Sequence, residues 1–364
     1  MKRILSVVGA RPNFMKVAPI HRAFAAYCSQ VSHAIVHTGQ HYDAAMSDSF
    51  FADLDMPQPA YFLGVGSGSH AVQTAKVMTG FEQVCIEAKP DYVIVVGDVN
   101  STIACALTSV KLGIRTAHVE AGLRSFDRAM PEEINRLATD AIADDLFVTE
   151  ESGRTHLQRE GVSPERIHFV GNTMIDSLHY ALPKAERSDV LQRLGLTPRA
   201  YALITLHRPS NVDDRDQLQM LMHLLSDVAT QLDIVFPVHP RTRKNLEAWG
   251  MLAELPKGIH LIDPVGYIDF LALMHQSRFV LTDSGGIQEE TTALRVPCIT
   301  ARTTTERPVT VELGTNVLVP PSPDGITTAV DRVLRGDRRE GTIPPLWDGR
   351  AAERIAAIIT SQCL

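Results

Sequence analysis

The chain is poor in cysteine. Its five residues, Cys28, Cys85, Cys105, Cys298 and Cys363, are odd in number and form no Cys-x-x-Cys pair. That argues against a disulfide framework or a structural zinc site and fits a reducing cytoplasm. Runs of one charge are missing too: 35 Lys and Arg are interspersed with 42 Asp and Glu, for a formal net charge of -7. Neither nucleic acid nor an anionic membrane is therefore an expected partner, and any bound anion must be held by a few placed groups. No apolar stretch approaches the roughly 20 residues that cross a bilayer. The short run 4–9 behind Met1-Lys2-Arg3 turns at once into Ala10-Arg11-Pro12-Asn13 and reads as a first strand, not a leader. There is no Walker A sequence and no Gly-x-Ser-x-Gly elbow, and the glycine-rich stretch 64–70 lacks the final glycine of a dinucleotide fingerprint. His37 and His41 stand four apart with Gly39 between them and no helical pattern, so no metal pair is expected. Neither a cofactor nor a metal is implied.

What is present is length and rhythm. With 364 residues, 45% of them hydrophobic, the chain exceeds one ordinary core and suits two domains. Short β-branched runs alternate with turns and helically spaced segments, the pattern of βα units. The runs fall at 4–9, 34–39, 92–98, 116–121, 145–149 and 168–171, then at 201–207, 234–239, 259–262, 279–283, 297–300 and 317–319. Their nearly continuous apolar character is that of parallel strands buried on both faces. The expected fold is α/β: two Rossmann-like, doubly wound parallel-sheet domains facing a cleft. The first is predicted over residues 1–171 and the second over 172–348. A last amphipathic helix, within 349–364, is expected to pack back on the first domain.

In such sheets ligands sit beyond the carboxyl ends of the strands, and the runs stop on chemistry-bearing residues. Asp283-Ser284-Gly285-Gly286 closes one run and opens a helix, so free N–H groups and the positive end of the helix dipole make an anion site there. Glu290, a turn further on, would be repelled by a phosphate and suits ribose hydroxyls instead. Alone, the same turn reads equally as a capped helix start. His207-Arg208 and His239-Pro240-Arg241 end two more runs in the same half, and one diphosphate would account for all three. In the other half Asp98 and Glu120 end strands and Glu132-Glu133 follow Pro131. Carboxylates aimed into one cleft raise one another's pKa and supply both base and acid near neutrality. Glu132 and Glu133 also suit a first helical turn as simple dipole partners. Arg11 and Lys16, just past the first strand, are placed to face a diphosphate.

As an ordered set, these residues resemble the non-hydrolysing UDP-N-acetylglucosamine 2-epimerases, which have the glycosyltransferase-B architecture. The likeness runs nearly end to end through Gly9-Ala10-Arg11-Pro12-Asn13, Thr38-Gly39-Gln40-His41, Gly97-Asp98, 118–124, 131–136, Gly171-Asn172-Thr173, His207-Arg208, His239-Pro240-Arg241, 283–290 and Thr305-Glu306-Arg307-Pro308. The resemblance implies that Asp98, Glu120 and Glu132 are acid/base carboxylates and His207 a catalytic histidine on the diphosphate side. It implies UDP contacts from Arg11, Lys16, Phe270, Ser284, Gly285, Gly286, Glu290 and Arg307. It implies a reversible inversion at carbon 2 of UDP-N-acetylglucosamine (UDP-GlcNAc), giving UDP-N-acetylmannosamine (UDP-ManNAc) through 2-acetamidoglucal, in a cytoplasmic homodimer serving polysaccharide biosynthesis. A glycosyltransferase of the same fold and a hydrolysing epimerase are the competing readings. Two positions depart from the family pattern: Tyr42-Asp43 follow His41 where many members carry Arg and a second Gln, and Ser210-Asn211 follow Pro209 where Glu-Asn is usual.

Overall fold

The computed structural model describes residues 1–40, 51 and 53–363, with the side chains of Arg11, Glu254 and Cys363 set aside. The described residues form two compact units, 1–180 with 345–364, and 181–344.

The first unit carries a parallel sheet of β1 (Lys2–Val8), β2 (Val31–His37), β3 (Tyr61–Phe62), β4 (Tyr92–Val96), β5 (Arg115–Ala121), β6 (Asp145–Val148) and β7 (Ile167–Phe169). Their spatial order is β3-β2-β1-β4-β5-β6-β7. All five residues of β4 and all four of β6 are buried, because helices cover both faces. The second unit carries β8 (Tyr201–Thr205), β9 (Asp233–Pro237), β10 (Ile259–Ile262), β11 (Phe279–Thr282), β12 (Cys298–Ala301) and β13 (Asn316–Val319), in the order β10-β9-β8-β11-β12-β13. Leu218, Leu221, Met222 and Leu225, recurring at helical spacing, belong to one apolar core with Ile234, Phe236, Phe279 and Leu281 of its strands. In both sheets the winding direction reverses beside the first strand, between β1 and β4 and between β8 and β11. Those crevices are where doubly wound sheets hold ligands.

Two features differ from the sequence reading. The edge strand β3 was not anticipated, since two residues carry no periodicity; it pairs with β2 just before the glycine-rich stretch 64–70. The crossing between units lies inside the helix Thr173–Ala185, not at its start. The early part of that helix is tied into the first unit: Ser177 Oγ donates to the Met15 carbonyl at 2.5 Å, and Asp176 accepts the N–H groups of Ala351 and Ala352 at 3.1 and 2.7 Å. Those two N–H groups open the last helix, Ala351–Cys363, so Asp176 caps it and complements its dipole. Burial pushes the Asp176 carboxyl up to about 6, against the two N–H groups that pull it down. The last helix packs on Arg11–Phe24, burying Ile355, Ala356 and Ile359.

A part-buried polar chain in this unit gives a pH prediction. His33 on β2 meets Ser6 Oγ through Nε2 and His21 through Nδ1, each at 2.8 Å. One of the two facing nitrogens must remain unprotonated to accept. Burial first, then His21, lower the His33 pKa to about 3, against 6.5 for an unhindered imidazole. Between those values the unfolded chain binds a proton that the folded chain refuses, so stability falls as pH falls. Relative to His33→Gln, the wild type should lose about 1 kcal/mol for each pH unit from 6.5 towards 4, after discounting for partial solvent access. Urea unfolding of both proteins at several pH values checks this; parallel curves would refute it.

Candidate active site

The turns after β1, β4 and β5 converge in the first unit. Asn13 Oδ1 accepts the N–H groups of Gly9 and Ala10 at 3.1 and 3.0 Å, and its Nδ2 donates to the Val96 carbonyl at 3.1 Å. This pins the β1 turn to the end of β4 and explains the Gly-Ala-Arg-Pro-Asn text. Pro12 sits at the start of the helix Arg11–Phe24, where its missing N–H costs nothing. One turn on, the ammonium of Lys16 pairs with Glu120 Oε2, and both side chains are buried. Gly97, at φ +68°, lies directly under that pair: a Cβ there would stand 2.9 Å from Lys16 Nζ and 3.6 Å from Glu120 Oε2.

Glu120 itself holds φ +76°, a strained state for a side chain with a Cβ. It coincides with a register shift between β5 and β6 at Val119/Ala121. The bulge takes Glu120 out of strand alternation and aims it at the β1 and β4 turns. Asp98, the next residue after Gly97, is 27% exposed at its side chain and pairs with Arg136, while its carbonyl accepts from Asn135 Nδ2 at 2.8 Å. Arg136 is buried and also anchored on Glu133 at 2.9 and 2.7 Å. Glu133 accepts the N–H groups of Ser125 and Phe126 at 3.0 and 2.9 Å. Burial works to raise its pKa, but those N–H groups and Arg136 hold it below the usual range. Beneath the turn, buried His118 presents Nε2 to the Gly97 carbonyl at 2.8 Å and Nδ1 to Asp140 at 2.6 Å. Asp140 also receives Arg124 at 2.7 Å and the Gly122 N–H at 3.0 Å.

These contacts sort the expected carboxylates. Asp98 and Glu120 each have a cation as direct neighbour, Arg136 and Lys16 respectively. Glu132 is half-buried and makes no hydrogen bond or ion pair among the described residues, which leaves it available, whereas Glu133 is committed to holding Arg136 and the 125–126 turn. Lys16, read from sequence as a diphosphate contact, pairs with Glu120 Oε2 in this structure. Arg11 is the first residue of its helix, and its side chain lies outside the described residues, as do His41 and Tyr42-Asp43.

In the second unit the turns after β8 and β11 meet at Asp283, which is fully buried. Its carboxylate accepts the N–H groups of His207 and Arg208 at 3.0 and 2.9 Å and Asn211 Nδ2 at 3.0 Å, and lies 2.9 Å from His207 Nδ1. The next residue, Ser284, opens the helix Gly285–Leu294, and its hydroxyl makes no capping bond, so it stays available to a ligand. Its N–H is already given to Thr282 Oγ1 at 2.9 Å, so the free donors of this helix start are those that follow. Above Gly285 lies Glu306, whose Oε1 is 2.6 Å from where a Cβ would be, so a side chain there would have to displace that carboxylate. Glu306 is clamped by Arg302 at 2.8 Å and Arg307 at 3.3 Å, and Arg307 reaches Glu289 at 3.0 Å. Burial opposes its ionisation, but the two guanidinium groups outweigh it and hold the Glu306 carboxyl far below its ordinary range. Glu290, buried a turn into the helix, accepts from the Tyr267 hydroxyl at 3.0 Å. Phe270, half-buried, lies one turn after Tyr267 on the helix Tyr267–Gln276.

The structure thus brings Ser284, Gly285, Gly286, Glu290 and Arg307 together around one helix start, with His207 on its flank. His239 is exposed and caps its own helix, accepting the Arg241 N–H at 3.2 Å, yet its ring centroid stands 6.0 Å from that of His207. The exposed guanidinium of Arg241 pairs with Asp213. Sequence reasoning missed the supports Arg136, His118, Asp140, Tyr267, Glu289 and Glu306. No group of His, Cys, Asp and Glu among the described residues is arranged to hold a metal, and no helix among them is long and apolar enough to cross a membrane.

Comparison with known proteins places this geometry. Residues 26–360 match the family model described as UDP-N-acetylglucosamine 2-epimerase. The UDP-N-acetylglucosamine 2-epimerase of Methanocaldococcus jannaschii is 42% identical over 97% of this chain and 98% of its own. The crystal structure of that epimerase in complex with UDP-GlcNAc and UDP has a TM-score of 0.90, covering 99% of this chain and 100% of that one. The UDP-2,3-diacetamido-2,3-dideoxy-D-glucuronate 2-epimerase of Pseudomonas aeruginosa is 39% identical over 97% and 98% of the two chains. A sucrose-phosphate synthase from Thermosynechococcus elongatus, 14% identical with a TM-score of 0.62 over 100% and 97%, shares the fold alone, that of the glycosyltransferase-B group.

Proposed function

The chain belongs to the UDP-N-acetylglucosamine 2-epimerase family, and on that premise we propose that it interconverts UDP-GlcNAc and UDP-ManNAc without net hydrolysis. The observation that carries the reading is the pair of clusters, each at its own sheet's reversal point: carboxylates with a lysine in one unit, an anion-binding helix start flanked by histidine in the other.

The chemistry asks for both. The hydrogen on carbon 2 has no neighbouring carbonyl, so direct proton exchange is too slow. In elimination the bond from the anomeric carbon to the phosphate oxygen breaks and its electrons leave with UDP. The carbon 2 proton passes to a carboxylate, and the carbon–hydrogen electrons form the double bond of 2-acetamidoglucal. UDP then adds back to carbon 1 while a proton is delivered to the other face of carbon 2. Two faces need more than one carboxylate, which gives Asp98, Glu120 and Glu132 their work. Negative charge grows on UDP during cleavage, where His207, Arg307 and the helix start at Ser284-Gly285-Gly286 stabilise it. Glu290 takes the ribose hydroxyls; Phe270, Arg11, His239 and Arg241 complete the nucleotide contacts.

Phosphorus and proton NMR of UDP-GlcNAc with the protein tests the reading. A stable mixture of two UDP-sugars supports it. Accumulating UDP with free N-acetylmannosamine means a hydrolysing epimerase, and no reaction without an added acceptor means a glycosyltransferase. The same assay with the diacetamido-glucuronate substrate named for the Pseudomonas relative fixes which sugar this chain prefers. Ser284→Ala is expected to raise KM about tenfold and spare kcat, since it removes one hydrogen bond to a charged group; a matching fall in kcat would contradict its assignment to binding.

We further propose that the chain works as a cytoplasmic homodimer in polysaccharide biosynthesis. The surface offered to a second copy is a groove of about 500 Å³ on the first unit, where Ala71, Ala75, Met78, Ile103, Pro131 and Ile134 are joined by the polar His70, Thr74, Asn100 and Asn135. Sedimentation equilibrium decides between dimer and monomer.

A further inference from the structure

We propose that Asp283 is the positioning residue for His207, fixing which ring nitrogen the substrate meets. The inference rests on the catalytic role given to His207 above. An ionised, buried carboxylate only accepts hydrogen bonds, so His207 Nδ1, 2.9 Å away, carries its hydrogen towards Asp283. Nε2 is then the nitrogen left for the diphosphate, and the ring's second degree of freedom is gone.

The carboxylate is itself immobile. Besides the ring it accepts the main-chain N–H groups of His207 and Arg208 and the Asn211 amide, donors that come from the end of β8 and the short helix Pro209–Val212. Its own carbonyl accepts Arg208 Nε at 3.0 Å. Burial opposes ionisation of Asp283, but His207 and these donors outweigh it and keep the carboxyl below its ordinary range. The other titratable or charged groups around the ring are Arg208, Glu306 at 3.9 Å from Arg208 Nη2, and His239 across a 6.0 Å ring spacing. Among the described residues, Asp283 is the one carboxylate within ion-pairing distance of Nδ1, at 2.9 Å.

Chain connectivity adds a second consequence. Asp283 is the peptide neighbour of Ser284, so the strand end that starts the anion-binding helix also sets the histidine. Nucleotide grip and leaving-group stabilisation are thereby fixed to one rigid residue, without a loop between them.

The test uses the full-length protein. In nitrogen-15 NMR of the wild type, the His207 signals, identified by their loss in His207→Asn, should report a hydrogen on Nδ1 near neutral pH; a ring with Nδ1 unprotonated overturns the proposal whether or not any variant folds. In kinetics, Asp283→Asn presents an amide hydrogen to Nδ1 and should lower kcat for epimerisation 100- to 1000-fold with KM changed only a few-fold. In a His207→Asn background the same change should cost less than about threefold, because the two residues act as one unit. Equal losses in both backgrounds would mean a purely structural role and overturn it. If His207→Asn epimerises normally, the catalytic assignment of His207 falls and the inference falls with it. If His207→Asn is crippled and Asp283→Asn is not, only the inference fails.

Discussion

Asp98→Asn is expected to lower proton exchange at carbon 2 about 1000-fold while UDP still binds within a few-fold of the wild type. The replacement keeps the shape of the side chain and removes its ability to take a proton. Its surroundings should stay in place, because Arg136 remains anchored on Glu133 through two hydrogen bonds and Asn135 holds the backbone carbonyl, not the side chain, of residue 98. The loss therefore reports chemistry, and its size is that of removing a positioned general acid or base. Loss of the carbon 2 proton signal in heavy water gives the rate, and calorimetry with UDP gives the affinity. A variant that exchanges within tenfold of the wild type, or that no longer binds UDP, contradicts the division of labour between the two clusters.

The largest stability effect is expected at Gly171. Its φ is +90°, and a Cβ would stand 2.1 Å from the Leu346 carbonyl oxygen and 2.9 Å from its carbon. Both atoms are backbone, so nothing can swing aside. This is where the chain returns to the first unit: Trp347 Nε1 donates to the Thr149 carbonyl at 3.0 Å and Arg354 to the Val170 carbonyl at 3.0 Å. Gly171→Ala adds an unfavourable backbone conformation to an overpacked contact, for about 4 kcal/mol of destabilisation. Differential scanning calorimetry should show the first transition lowered by roughly 10 °C, and proteolysis should release the segment after Pro345 first. An unchanged melting profile would mean that 345–364 do not contribute to the first unit's stability.

The strands were legible because parallel strands buried on both faces leave continuous apolar text, as in Tyr92–Val96 and Tyr201–Thr205. The site was legible as strand ends: Asp98, Glu120, His207 and Ser284 all lie at the carboxyl edge of a sheet. Their partners were not. Lys16 meets Glu120 across 104 positions and Asp283 meets the His207 N–H across 76, and no local pattern encodes such pairings. Arg136 and Asp140 sit inside the helix Pro131–Ile142, where side-chain type alone does not say which strand end each faces. The positive φ of Glu120 belongs to a bulge in β5 that shows only in its pairing with β6, invisible in a run that reads as ordinary β text. The bias towards isolated roles followed: Glu132 and Glu133 looked alike in sequence, and only the hydrogen bonds separate the one free to act from the one that holds Arg136.

The claim that both clusters serve one elimination and re-addition is tested most directly by incubating UDP-GlcNAc with the wild-type protein in deuterated water. Deuterium should appear at carbon 2 of both UDP-GlcNAc and UDP-ManNAc, with no accumulation of free UDP. UDP-ManNAc that keeps its original carbon 2 hydrogen, or no exchange at all, would contradict it.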